Sequence, residues 1–195
     1  MAIDAKTVKE LRDRTGAGMM DCKQALADSN GDIDKALDYL RKKGLKTASK
    51  KSSRDTSEGI VGSYIHHNGK IGVLVEVNCE TDFAARSDPF QEFVKNIGQH
   101  IAAAQPRYLK PEEVPEDVVN KEREIAAAQI KGKPENIVEK IVDGKMQKFY
   151  GEICLMNQPF VKDDKKTITD YLTETIATVG ENIVIRRFVR YNVAE

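Results

Sequence analysis

Few residues of this chain have the type and spacing that covalent chemistry requires. Cys79-Glu80-Thr81-Asp82 sets a thiol beside two carboxylates at the end of an apolar run, a grouping that in principle suits a nucleophile with an acid or base. No histidine is tied to it by spacing. His66 and His67 are neighbours on an expected strand, so their side chains should point to opposite faces and not clasp one metal. One should pack against the core and the other meet water. His100 falls inside a helical pattern and reads as structural. The three cysteines, Cys22, Cys79 and Cys154, are odd in number and form no CxxC pair, which suggests neither a disulfide framework nor a zinc site. The sequence holds no GxSxG, no phosphate-binding loop, no GxGxxG after a strand and no HExxH.

Two other stretches suit contact better than catalysis. Thr15-Gly16-Ala17-Gly18 precedes Met19-Met20, so two flexible, polarisable side chains open a helix at a glycine-rich corner, where they can adapt to a partner surface. The alternative is that both methionines fill a small core. Thr81-Asp82-Phe83 follows a buried-looking strand and precedes a helix, at a chain reversal where scaffolds display contact residues. Phe83 as ordinary core is the alternative there.

The elements that must position these residues follow from periodicity and punctuation. Residues 1–44 read as three short helices. Asp4 caps the first, with Val8 and Leu11 facing inward, and the two glycines break it. The second runs from about Met19 to Asp28, with Cys22, Ala25 and Leu26 inward, and Asn30-Gly31 ends it. Asp32 caps the third, where Ile33, Ala36, Leu37 and Leu40 form one stripe, and Gly44 is placed to close it. Residues 45–57, rich in Lys, Arg and Ser, read as a basic tether with a possible helical start; a solvated stretch is favoured over a phosphate-binding one. From residue 58 onward strand signals begin. Ile60 to Ile65 and Ile71 to Val77 flank Asn68-Gly69, a hairpin signal of the type I′ kind. Helical patterns then open at Pro89, with Phe90, Phe93, Val94, Ile97 and Ile101 at helical spacing, and cover Pro115 to Ile130, Pro134 to Tyr150 and Thr167 to Val179. Ile183 to Tyr191 reads as a third strand. Strands, then helices, then a strand favour an α+β core of a small antiparallel sheet packed with several helices.

Composition narrows the function class. The 195 residues carry 31 Lys and Arg against 31 Asp and Glu, a formal net charge of zero. That balance argues against direct nucleic-acid or anionic-membrane binding. No apolar run reaches the ~18 residues of a spanning helix, and charged residues begin at Asp4, which leaves no signal-type apolar segment. A reduced, cytoplasmic protein is the expectation.

Both contact stretches lie within motifs of one family. Leu11-Arg12-Asp13-Arg14-Thr15-Gly16-Ala17-Gly18-Met19-Met20-Asp21-Cys22-Lys23-Gln24-Ala25-Leu26 resembles the N-terminal signature of the elongation factor Ts family, and Glu76-Val77-Asn78-Cys79-Glu80-Thr81-Asp82-Phe83 resembles its second signature. The likeness continues through Gly62-Ser63-Tyr64-Ile65-His66, Gln158-Pro159-Phe160-Val161 and Gly180-Glu181-Asn182-Ile183. Ala84 follows Phe83 where the family usually has valine.

The resemblance implies a guanine nucleotide exchange factor for elongation factor Tu, with no enzymatic activity and no cofactor of its own. It implies a ubiquitin-associated-type N-terminal bundle docking through Arg12, Met19, Met20 and Lys23. Asp82 and Phe83, with Thr81 before them, match the loop that intrudes near the partner's magnesium and phosphate site. His66 and Val161 match contacts to a second domain of the partner; Lys162 stands where a longer relative has an apolar residue. Long forms carry a duplicated core, and the length here resembles short forms that pair two chains, which implies a homodimer through the core. Two rivals stand beside this reading: an adaptor that tethers a partner through residues 1–44 alone, and a small transferase or hydrolase using Cys79 or His66. Only the exchange reading predicts faster GDP loss from purified elongation factor Tu.

Overall fold

A computed structural model describes residues 4–130 and 134–193. The outer limits of the expected units, residues 1–3 and 194–195, lie outside them. The fold is α+β: three N-terminal helices, then small antiparallel sheets packed with helices.

Helix α1 (Ala5–Thr15) starts at Asp4, whose carboxylate accepts from the Lys6 N–H, and stops at Gly16 in the left-handed conformation. Helix α2 spans Met19–Asp28 and α3 spans Ile33–Lys51, with Asp32 accepting from the Lys35 N–H at its start. Leu11, Cys22, Ala25, Leu26 and Ala36 are wholly buried between them. Gly44 does not close α3 as expected. The helix runs on through it to Lys51, so the basic stretch is helical for its first seven residues. A mid-helix glycine costs about 1 kcal/mol against alanine. Tertiary packing offsets this, because Gly44 is buried and turned toward Thr173 and Ala177 of a later helix.

Strand β1 (Glu58–Ile65) pairs antiparallel with β2 (Ile71–Cys79), aligning Ile60 with Val77 and Tyr64 with Val73. The connecting turn departs from type I′. Among its residues only Gly69 has positive φ, and its N–H donates to the His66 carbonyl at 2.8 Å. A five-residue connection from His66 to Lys70 closes around an ordinary turn followed by one left-handed residue, so Asn68 need not be left-handed. After the short α4 (Asp82–Arg86) and the long α5 (Asp88–Ala104), α6 (Glu116–Ala128) and α7 (Glu135–Ile153) form an antiparallel pair. A two-stranded hairpin, β3 (Pro159–Phe160) and β4 (Asp163–Thr167), precedes α8 (Ile168–Val179) and β5 (Ile183–Asn192). Strand β5 pairs antiparallel with β2, with a bulge between Glu76 and Val77, and gives the sheet order β1-β2-β5.

One face of this sheet lies on α5. Val73, Val75 and Val77 of β2 meet Phe90, Phe93, Ile97 and Ile101 of α5, joined by Ile168 and Ile176 of α8 and by Ile183 and Ile185 of β5. Each such side chain contributes about 1.5–3 kcal/mol of burial. Gly62 allows β1 to approach so closely, since a Cβ there would sit 2.3 Å from Val94 Cγ1.

Candidate functional site

The Thr81-Asp82-Phe83 stretch is not a loop but the start of a helix. Thr81 is the N-cap of α4, and its hydroxyl accepts from the Ala84 N–H at 3.2 Å. Ala84 and Ala85 point into the main core. The helix geometry then sends Phe83 outward, where it is 79% exposed. Asp82, in the first turn, pairs with Arg86 one turn on at 2.9 Å, a solvent-facing contact worth little by itself.

Residues far along the chain hold this helix start. The Glu181 carboxylate accepts from both the Thr81 N–H, at 3.0 Å, and the Thr81 hydroxyl, at 2.7 Å. In return the Glu80 carboxylate accepts from the Asn182 N–H at 2.6 Å, while Arg54 lies 3.3 Å away. The bond from Asn182 and the Arg54 guanidinium hold the Glu80 carboxyl below its ordinary range, against the opposing effect of burial. Two carboxylates, each bonded to the other strand's backbone, thus staple the end of β2 to the start of β5. Reading for chemical groups alone passes over Glu181, whose only signal is its place in the Gly180-Glu181-Asn182-Ile183 motif.

Cys79 is fully buried, and its thiol donates to the Thr81 carbonyl at 3.1 Å. Burial first, and then the charge of Glu181, pushes that thiol up. A protonated, enclosed sulfur is a poor nucleophile, which removes the basis of the enzyme alternative at this position.

At the bundle corner Met19 is 48% exposed and Met20 73% exposed, so the small core does not take them in. Arg12 and Lys23 are exposed too. Arg12 and Met19 share a shallow depression with Pro89 at the start of α5, and α5 follows α4 after a single residue. The corner and the start of α4 therefore lie at connected ends of one assembly. The orientation is set by α3 against α8: Arg41 reaches Asp170 at 2.8 Å, and Lys51 donates to the Gly180 carbonyl.

His66 and His67 both follow β1 in the turn and are not on opposite faces of a strand. Their ring centroids are 4.2 Å apart. His66 shares a hydrogen bond of 2.9 Å with the Tyr64 hydroxyl. Val161 lies at the tip of the β3–β4 hairpin and is 49% exposed. Both sites are referred to α5, since Tyr64 packs against Gly98 and the Val161 N–H donates to His100 Nδ1. Among the described residues no group of three or more His, Cys, Asp or Glu is arranged to hold a metal.

The family model for "Elongation factor TS" matches residues 5–175. The chain is 62% identical to the elongation factor Ts of Geobacter metallireducens, over all of this chain and 91% of that protein. It is 58% identical to that of Thermoanaerobacter pseudethanolicus, covering 99% of this chain and 96% of the relative. With the protein from Thermosipho melanesiensis it shares 56%, over 99% of this chain and the whole of the relative. A match across both signatures, the bundle and the sheet-and-helix core leaves one conclusion: the chain belongs to the elongation factor Ts family.

Proposed function

We propose that this chain, by its family a nucleotide exchange factor for elongation factor Tu in translation elongation, promotes GDP release by presenting Phe83 and Asp82 at the partner's magnesium and phosphate site. The observation that carries this reading is Phe83: a large aromatic side chain 79% exposed on a helix start stapled to β5. An unsupported surface aromatic has no folding role here, whereas a stiff apolar group on a rigid base can wedge between partner elements with little entropy lost. Asp82 brings a carboxylate next to it, and its exposed pairing with Arg86 is weak enough to be exchanged on docking. The partner supplies the nucleotide and Mg²⁺.

Docking belongs to the bundle through Arg12, Met19, Met20 and Lys23, with His66 and Val161 as a second contact. No covalent bond is made or broken. The chain binds the nucleotide-free partner more tightly than the GDP-bound one, and reciprocity requires that it weaken GDP by the same factor. An adaptor working through the bundle alone would leave the exposed Phe83 and its staple without a role.

The chain acts as a homodimer in this reading. The sheet face away from α5 carries Val61, Ile65, Leu74, Val189 and Tyr191, all exposed, and the register sets Leu74 beside Val189 and Ser63. A largely apolar sheet face of this kind, edged by the Glu76–Arg187 pair, suits burial against its own copy.

The deciding experiment is stopped-flow release of a fluorescent GDP analogue from purified elongation factor Tu. The rate should rise with chain concentration and saturate. A rate unchanged at saturating chain would overturn the exchange reading.

A further inference from the structure

Helix α5 carries two polar residues one turn apart that are almost wholly buried, Asn96 and His100, which are 7% and 0% exposed. The Gln158 amide nitrogen donates to the carbonyls of Ala104 and Glu152, at 3.2 and 2.7 Å. Its oxygen, 2.9 Å from His100 Nε2, is therefore the acceptor of an Nε2–H. The neutral ring then has a lone pair on Nδ1, and the Val161 N–H fills it at 3.3 Å. Burial favours this neutral form. One turn back, Asn96 donates from Nδ2 to the Tyr171 hydroxyl at 2.8 Å and accepts from Lys162 Nζ at 2.7 Å. The Tyr171 ring stacks on Phe160, centroids 4.6 Å apart and planes 15° apart.

Val161 and Lys162 are the two residues between paired Phe160 and Asp163. Two-residue hairpin loops favour turns with a left-handed residue, because these match strand twist. Neither residue has positive φ. The tip is held from outside at both of its residues, the Val161 N–H by His100 and the Lys162 ammonium by Asn96.

We propose that Asn96 and His100 are positioning residues that set the Val161–Lys162 tip in the orientation in which Val161 meets the partner protein. The proposal rests on the reading of Val161 as a partner contact. A purely structural role does not need this arrangement, since two apolar side chains would fill the same space without buried polar groups to satisfy.

Two substitutions separate the ring's two nitrogens in the full chain. In His100→Asn the side-chain oxygen stands near the place of Nδ1 and keeps the acceptor for Val161. In His100→Gln the amide nitrogen stands near the place of Nε2 and keeps the donor to Gln158. The Val161 amide should be protected from hydrogen exchange in wild type and in His100→Asn, and should lose about tenfold in His100→Gln, as for one lost hydrogen bond. His100→Gln should also raise the concentration needed for half-maximal GDP release severalfold while leaving the saturating rate unchanged. Identical behaviour of the two variants, or an unprotected Val161 amide in wild type, would overturn the clamp. Lys162→Ala replaces an exposed side chain and takes from Asn96 only its bond to the tip, and it tests the same point if the buried variants do not fold: unchanged Val161 protection there counts against the proposal. Val161→Ala separates the two readings. Wild-type release from it overturns Val161 as a contact, and the functional half of the proposal with it. A weakened Val161→Ala beside a wild-type His100→Gln overturns the clamp alone.

Discussion

Glu181 and Thr81, a hundred positions apart in the chain, are joined by two hydrogen bonds, one to the Thr81 N–H and one to its hydroxyl. The hydroxyl that Glu181 accepts from is the one that caps α4. Glu181→Ala should therefore free the start of α4 while leaving the main core intact. The expected cost is about 1–2 kcal/mol of stability. GDP release should slow by more than partner binding weakens, because Phe83 loses its fixed base. Thermal melts and stopped-flow release on the same variant check both halves.

Phe83 and Phe93 give opposite expectations from the same residue type. Phe83→Ala, at an exposed position, should change stability by no more than about 0.5 kcal/mol. It should slow saturating GDP release about tenfold or more, roughly 1.4 kcal/mol of barrier. Phe93 is wholly buried, so Phe93→Ala should cost about 3–5 kcal/mol. Urea titrations alongside release kinetics separate the two, and wild-type release from Phe83→Ala would place the exchange chemistry elsewhere on the surface.

Met20→Ala should weaken binding to nucleotide-free elongation factor Tu by about 2 kcal/mol, the scale of a contact hot spot, with the bundle still folded. Leu26→Ala, at a fully buried position of the same bundle, should instead unfold it at a cost of about 2–5 kcal/mol. Calorimetry of the complex and circular dichroism of the free variants read the two effects. A Met20→Ala chain that binds as tightly as wild type would remove the methionine corner from the interface.

The acid limb of stability should have two stages. Burial holds His100 below its ordinary value, against the hydrogen bond to Gln158. A depressed histidine stabilises above its unfolded pKa of about 6.5 and loses that contribution as pH falls. Asp170 is pushed up by burial, but the bonds from Arg41 and Thr167 outweigh this and hold it low; Glu80 is held low as well. Depressed carboxylates stabilise above about 4 and lose that contribution as pH drops below it. Urea midpoints should fall gently from pH 6 and more steeply below about pH 4. His100→Asn should flatten the first stage only.

Leu74→Glu should leave the monomer fold intact, since Leu74 is exposed on the open sheet face, and should convert a dimer to a monomer by placing a charge in the buried contact. Light scattering at matched concentrations reads the outcome. A dimer that survives the substitution would locate the pairing surface elsewhere.

Local order in this chain was legible from the residues because it depends on near neighbours. The Asp4 and Asp32 caps, the stripe from Phe90 to Ile101 and the paired runs around Asn68-Gly69 each rest on spacings of a few residues, and each corresponds to an element at that place. The sequence favoured an exposed methionine corner but left open that both side chains fill the bundle core, and the packing decided it, with Met20 73% exposed. Tertiary structure decided what depended on distant partners. Helix α3 continues through Gly44, which packs against Thr173 and Ala177 of α8. The staple at Thr81 exists because the β2–β5 register aligns Cys79 with Ile183. That alignment sets Glu80 and Thr81 opposite Asn182 and Glu181, and no spacing along the chain encodes it. His100 could be read as structural from its helical setting, but its hold on the Val161 N–H required α5 and the β3–β4 tip to meet. A hydrogen bond is made between positions in space, and the sequence orders those positions only through the packing of the whole.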